Sequence, residues 1–93
     1  MRTIERSTVF KRDYKREAKG QHRATLDTDL APLLAALADD QTLEPRHRYH
    51  DLSGDWRGYR ECHIKPDLLP IYRKHENDSL WLVRLGSHSE LFG

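Results

Sequence analysis

Four residues in the second half of this chain have side chains that move protons, and a fifth has a flat ring: His50, His63, Asp67, His88 and Phe92. Imidazole titrates near pH 6.5, so a histidine can accept or donate a proton near neutrality. RNA needs little more to cleave itself. A base takes the proton of the 2′-OH, and the freed oxygen attacks the adjacent phosphorus. An acid then protonates the departing 5′-oxygen while cationic donors stabilise the phosphoryl charge. Three histidines, one aspartate and nearby arginines are enough for that reaction without a metal.

The elements that must position these groups follow from the local patterns. Residues 2–6 form a short first strand. Ser7 caps a helix over 8–19, with Phe10, Tyr14 and Ala18 as its buried stripe and Lys11, Lys15 and Lys19 on the next stripe. Gly20 stops it. A second helix spans 22–39 on the spacing of Leu26, Leu30, Leu33, Leu34 and Leu37. Pro32 either kinks that helix or moves its start to about residue 31. Residues 41–54 read as a long loop that holds His50. Strands follow over 55–64, 68–74 and 80–85, broken by Lys65-Pro66-Asp67 and Glu76-Asn77-Asp78. Connections this short demand antiparallel hairpins.

The order β-α-α-β-β-β predicts an α+β fold: a small antiparallel sheet with two N-terminal helices packed on one face, a single domain over 1–93. Alternation in the 55–64 strand turns Cys62 and Ile64 to the core and Tyr59, Glu61 and His63 outward, across a face with no helix left to cover it. The hairpins bring His63, Asp67 and His88 to one edge. Pro70 is unusual for a central strand. His22, His47 and His75 read as surface residues.

Composition bounds the function. The sequence has 93 residues, 37% hydrophobic and 33% charged, so its core is lean and a large buried cofactor site is not expected. A single cysteine, Cys62, excludes an internal disulfide and a multi-thiolate zinc site. His63, His88 and Asp67 are legitimate zinc ligands, but no histidine pair has compact metal-ligand spacing, so no metal and no cofactor are expected. No apolar run approaches the roughly 20 residues of a membrane span, and the N-terminus has no apolar signal core, so a cytoplasmic protein is expected. The net charge of +1 hides a segregated distribution. Residues 1–23 carry eight basic and three acidic groups, and residues 24–44 carry five acids and no Lys or Arg. The first segment suits an RNA backbone.

Two stretches, His50-Asp-Leu-Ser-Gly-Asp-Trp-Arg-Gly-Tyr-Arg-Glu-Cys-His63-Ile-Lys-Pro-Asp67 and Gly86-Ser-His88-Ser-Glu-Leu-Phe92-Gly, resemble the YafQ branch of the RelE/ParE toxin superfamily. The motif resemblance covers about residues 43–93; the first half agrees in its helix–helix layout. It implies a RelE-like fold and a metal-independent endoribonuclease that cuts mRNA in the ribosomal A site. It also implies a cognate antitoxin, and it marks His50, His63, Asp67, His88 and Phe92 as the functional set. Leu69 lies where the RelE branch has a strand arginine, which points to histidines in place of a guanidinium-dominated site. His88 then reads as the general acid. His63 and Asp67 are base and orienter, or both contact the phosphate or the 2′-OH; His50 binds phosphate or is the base. Phe92 stacks on a substrate base or plugs the C-terminus. Arg84, Lys11 and Lys15 are assigned to substrate and ribosomal RNA. The alternative is a toxin of the same fold that inhibits a non-ribosomal target, such as a topoisomerase, without nuclease activity.

Overall fold

The chain runs β1 (Thr3–Arg6), α1 (Thr8–Glu17), α2 (Leu26–Ala38), β2 (His50–Asp51), β3 (Arg60–Glu61), β4 (Leu69–His75), β5 (Ser79–Gly86) and α3 (His88–Phe92). The computed structural model describes residues 1–47, 50–76 and 78–92, with the backbone alone at His50. The sheet order is β1-β5-β4-β3-β2. The β3–β4 and β4–β5 pairings are antiparallel, as the hairpin spacing predicts, and β2, which falls in the expected loop, adds a further antiparallel pairing with β3. β1 instead runs parallel to β5, Ile4 opposite Leu80, so the sheet is mixed.

Ser7 caps α1 as predicted, its Oγ accepting the Phe10 N–H at 2.9 Å. The buried side of α1 differs from the expected stripe. Phe10 and Asp13 are buried, Tyr14 is half-buried, and Ala18 is exposed beyond the end of the helix. The reason is where α1 lies. β1 ends opposite Leu82, and α1 continues along the vacated edge of β5, so a polar residue at position 13 meets backbone groups. α2 begins at Leu26, and Pro32 sits inside it. Its leucines join Phe10, Cys62, Leu68, Tyr72, Leu80, Leu82 and Leu85 in the main core, with Ile64 packed alongside.

Pro70 is accommodated without loss to the β4–β5 ladder. Leu85, its partner in register, turns its N–H to Asp13 and its C=O to Arg16, away from β4. The missing proline N–H therefore faces the other side, where β3 has already ended. A register shift between Ile71 and Tyr72, with Val83 as the extra residue on β5, swaps the faces. Leu80 and Leu82 before it and Leu85 after it thus all reach the main core.

The predicted long strand 55–64 does not form. A single turn of 3₁₀ helix, Gly54–Trp56, precedes two strand residues, Arg60 and Glu61. Gly58, at φ +91°, makes the turn between them. The second sheet face is also not open. Leu69, Ile71 and Leu91 form a small second core with Leu52, Trp56, Tyr59 and Val83, so α3 and the 52–59 segment cover it. Glu61 and His63, expected to look into solvent, are consequently buried. The sequence pattern behind α3 is a capping box. The Ser87 N–H donates to Glu90 Oε1 at 2.9 Å, and the Glu90 N–H to Ser87 Oγ at 3.1 Å.

Candidate active site

Three elements deliver side chains to one point on that second face. β3 supplies Glu61, the segment after it supplies His63, and the first turn of α3 supplies His88 and then Phe92. One ligand-competent atom from each of Glu61, His63 and His88 lies within 4.8 Å of the others. His88 Nε2 stands 3.3 Å from Glu61 Oε2. The ring centroids of His63 and His88 are 5.1 Å apart, and those of His88 and Phe92 are 5.5 Å apart.

The burial of these groups is unequal. The side chains of Glu61 and His88 are 3% and 52% exposed, and Phe92 is 42% exposed. The cluster therefore has a dry floor of Glu61 and His63 and a wet rim of His88 and Phe92. Its protonation pattern follows from what each neighbour can accept. His63 Nδ1 lies 3.2 Å from the Pro66 C=O, which can only accept, so Nδ1 carries the proton. In the neutral ring, Nε2 then keeps its lone pair. His88 Nε2 faces the Glu61 carboxylate at ion-pair distance, which favours the protonated ring.

The other expected site residues lie elsewhere. Asp67 is exposed. Its carboxylate accepts from Gln21 Nε2 at 3.0 Å and meets His22 Nε2 at 3.2 Å, tying the hairpin turn to the segment between the helices. Arg84 is held by Asp13, Nε to Oδ2 at 2.7 Å and Nη2 to Oδ1 at 3.3 Å. Burial pushes the Asp13 carboxyl up. Hydrogen bonds from Arg84 and the Leu85 N–H, with the charges of Arg84 and Arg16, outweigh this and hold it below the usual carboxylate range. Lys11 and Lys15 line a groove between α1 and α2 with Ile4, Phe10, Leu30 and Leu34, on the main-core side of the sheet. His50 occupies a strand position rather than a loop, opposite Glu61 in register. Its side chain lies outside the described residues.

Glu61 is the member of the cluster that the functional reading of the sequence passed over. The signal was present, since residues two apart on a strand share a face and Glu61 precedes His63 by two. Glu61, His63 and His88 are also a competent set of metal donors, two imidazoles and a carboxylate, in which Glu61 takes the place expected for Asp67. Beneath the cluster, Cys62 points the other way into the main core, and burial, aided by the Glu61 charge, pushes its thiol up to about 12. Among the described residues, no helix is long and apolar enough to cross a membrane.

Comparison with known proteins places these residues in context. Residues 2–93 match the family model described as the bacterial toxin of a type II toxin–antitoxin system, YafQ. The mRNA interferase toxin YafQ of Escherichia coli K12 is 33% identical over 92 residues, covering 97% of this chain and 99% of that one. A copper-bound mutant toxin from Helicobacter pylori superposes with a TM-score of 0.86 at 35% identity, covering 99% of this chain and all of the other. The toxin in an Escherichia coli DinJ–YafQ complex superposes with a TM-score of 0.81 at 30% identity over the full length of both proteins.

Proposed function

This chain belongs to the YafQ family of type II toxin–antitoxin toxins, and from that premise we propose that it is an endoribonuclease that cuts mRNA in the ribosomal A site by histidine acid–base catalysis. The observation that carries the reading is the pairing of His63 and His88, 5.1 Å apart, one buried and one at the rim.

In this reading His63 Nε2, left with its lone pair, takes the proton of the 2′-OH. The 2′-oxygen attacks phosphorus, the P–O5′ bond breaks, and a proton from the His88 imidazolium goes to the leaving oxygen. The products are a 5′-OH and a 2′,3′-cyclic phosphate, or the 3′-phosphate that water forms from it. Glu61 pairs its carboxylate with Nε2 of the His88 imidazolium, which leaves Nδ1–H as the acid. Phe92 stacks on a substrate base beside His88, worth about 1–3 kcal/mol. Asp67 anchors the turn whose Pro66 C=O fixes the His63 ring. His50 stands beside Glu61 in the ladder as a phosphate contact. Lys11, Lys15 and the remaining basic side chains of α1 supply contacts to ribosomal RNA, and Arg84 lends positive charge from its place on Asp13. The reaction uses no metal. An antitoxin encoded with the toxin neutralises it, as DinJ pairs with YafQ in the Escherichia coli complex, and the reaction takes place in the cytoplasm, where the ribosomes are.

A protein with so few groups for gripping RNA depends on the ribosome to position its substrate. The test is 5′-end mapping of a defined mRNA on programmed ribosomes, with naked mRNA in parallel. Cuts confined to the ribosome-bound message at the A-site codon are expected. A protein that stops growth but cuts neither sample overturns the reading in favour of a toxin with another target.

A further inference from the structure

The geometry points to His47 as the positioning residue for the base His63, an inference that rests on the acid–base reading above. His47 ends the Pro45–His47 turn, outside the catalytic cluster. Its backbone carbonyl accepts the His63 N–H at 2.5 Å. Its ring Nδ1 lies 2.7 Å from the His63 C=O. That oxygen can only accept, so His47 holds a proton on Nδ1 and donates it.

The two bonds engage both backbone polar groups of His63, as a neighbouring strand would. Regular pairing has ended by then, since the β2–β3 and β3–β4 ladders stop at Glu61. His47 supplies the missing edge, half with its backbone and half with its ring. With the ring Nδ1–H on Pro66, His63 is tethered at three atoms and only Nε2 is left for substrate. A catalytic group displaced by about 1 Å loses on the order of 100-fold in rate. The clamp is thus worth more to the reaction than its two hydrogen bonds are to the fold.

The experiment measures kcat and KM for ribosome-dependent cleavage by the wild type and by His47→Phe, His47→Asn and His47→Gln, with His63→Ala as reference. Nitrogen-15 NMR of the His63 ring at a fixed alkaline pH reports its tautomer. Asn carries an N–H the same number of bonds from Cα as histidine Nδ1, whereas Gln carries it one bond farther and Phe lacks it. His47→Phe and His47→Gln should lower kcat roughly 10- to 100-fold with KM within about twofold, and His47→Asn should recover to within about threefold. The single Nδ1–H tautomer of His63 should be lost in the Phe variant and kept in the Asn variant. Wild-type kcat in His47→Phe beside an inactive His63→Ala would overturn the positioning role and leave the base intact. An active His63→Ala would remove the base, and the positioning role with it. Equal losses in Asn and Phe would reduce His47 to a packing residue and also overturn the proposal. If His47→Phe does not fold, the Asn–Gln pair decides, since both keep the donor and only its reach differs.

Discussion

The carboxylate of Asp13 stands in for a strand residue beside Leu85. Its Oδ2 accepts the Leu85 N–H at 3.0 Å, while Arg16, three residues on, donates to the Leu85 C=O at 2.9 Å. Where β1 stops, α1 completes the sheet edge with side chains. The same carboxylate holds Arg84, so one buried group ties α1 to β5 just before the backbone turns into α3.

Removing that group leaves the buried Leu85 N–H and the Arg84 guanidinium without their acceptor. Asp13→Ala should cost about 3–5 kcal/mol, read as a fall in Tm of more than about 10 °C. The pH dependence has a definite sign. The folded carboxyl lies below its ordinary value, so its contribution is complete above the unfolded value of about 4 and is lost as pH falls through the lower folded value. Urea titrations of wild type and Asp13→Asn should therefore differ at pH 7 and converge as the pH is taken well below 4.

Loss of His88 should reduce cleavage by about 100- to 10,000-fold without changing Tm. Glu61→Gln keeps the size of the side chain and removes its charge. It should slow cleavage while the far-UV circular dichroism spectrum stays that of the wild type. Cleavage by Glu61→Gln at the wild-type rate would remove Glu61 from the machinery.

The two helices and the last hairpin were legible in the sequence because their patterns are local: leucines at helical spacing, a cap at Ser7, turns at Pro66 and Asp78. The nearness of His63 and His88 followed from hairpin topology, and Phe92 joined them through the family resemblance. The parallel pairing of Ile4 with Leu80 was not legible, since no local pattern encodes a contact between residues so far apart in sequence. Asp13 was missed because a stripe counted in apolar residues skips a carboxylate buried for its hydrogen bonds. α3 was missed because five residues show no periodicity, although Ser87-x-x-Glu90 announces it. Asp67 was grouped with the histidines on the same hairpin topology and on the family resemblance, and only the turn's direction sends its carboxylate to Gln21 and His22.

The capping box gives a test that links stability to activity. Ser87→Ala removes the acceptor for the Glu90 N–H and should cost about 1 kcal/mol, a Tm shift of roughly 4–8 °C. Cleavage should fall by more than the stability loss explains at a temperature where the variant is fully folded, because His88 occupies the first turn of α3.

Cys62 offers a chemical probe of the core beneath the site. Burial pushes its thiol up to about 12, so almost no thiolate exists at pH 8. Iodoacetamide should leave the native protein unmodified and alkylate it fully in denaturant, with the products counted by mass spectrometry.

Cleavage should persist in excess EDTA, since the proposed proton transfers use imidazoles alone. An activity abolished by EDTA and restored by a transition metal would instead assign Glu61, His63 and His88 as ligands.

β5 lies between β1 and β4, yet it is synthesised after both, and His88 emerges later still. A nascent polypeptide stopped before Ser79 has no strand to join its first to its fourth, and it lacks the His88 that the proposed chemistry uses. The sheet and the proposed acid are thus completed together, over the stretch from Ser79 to His88.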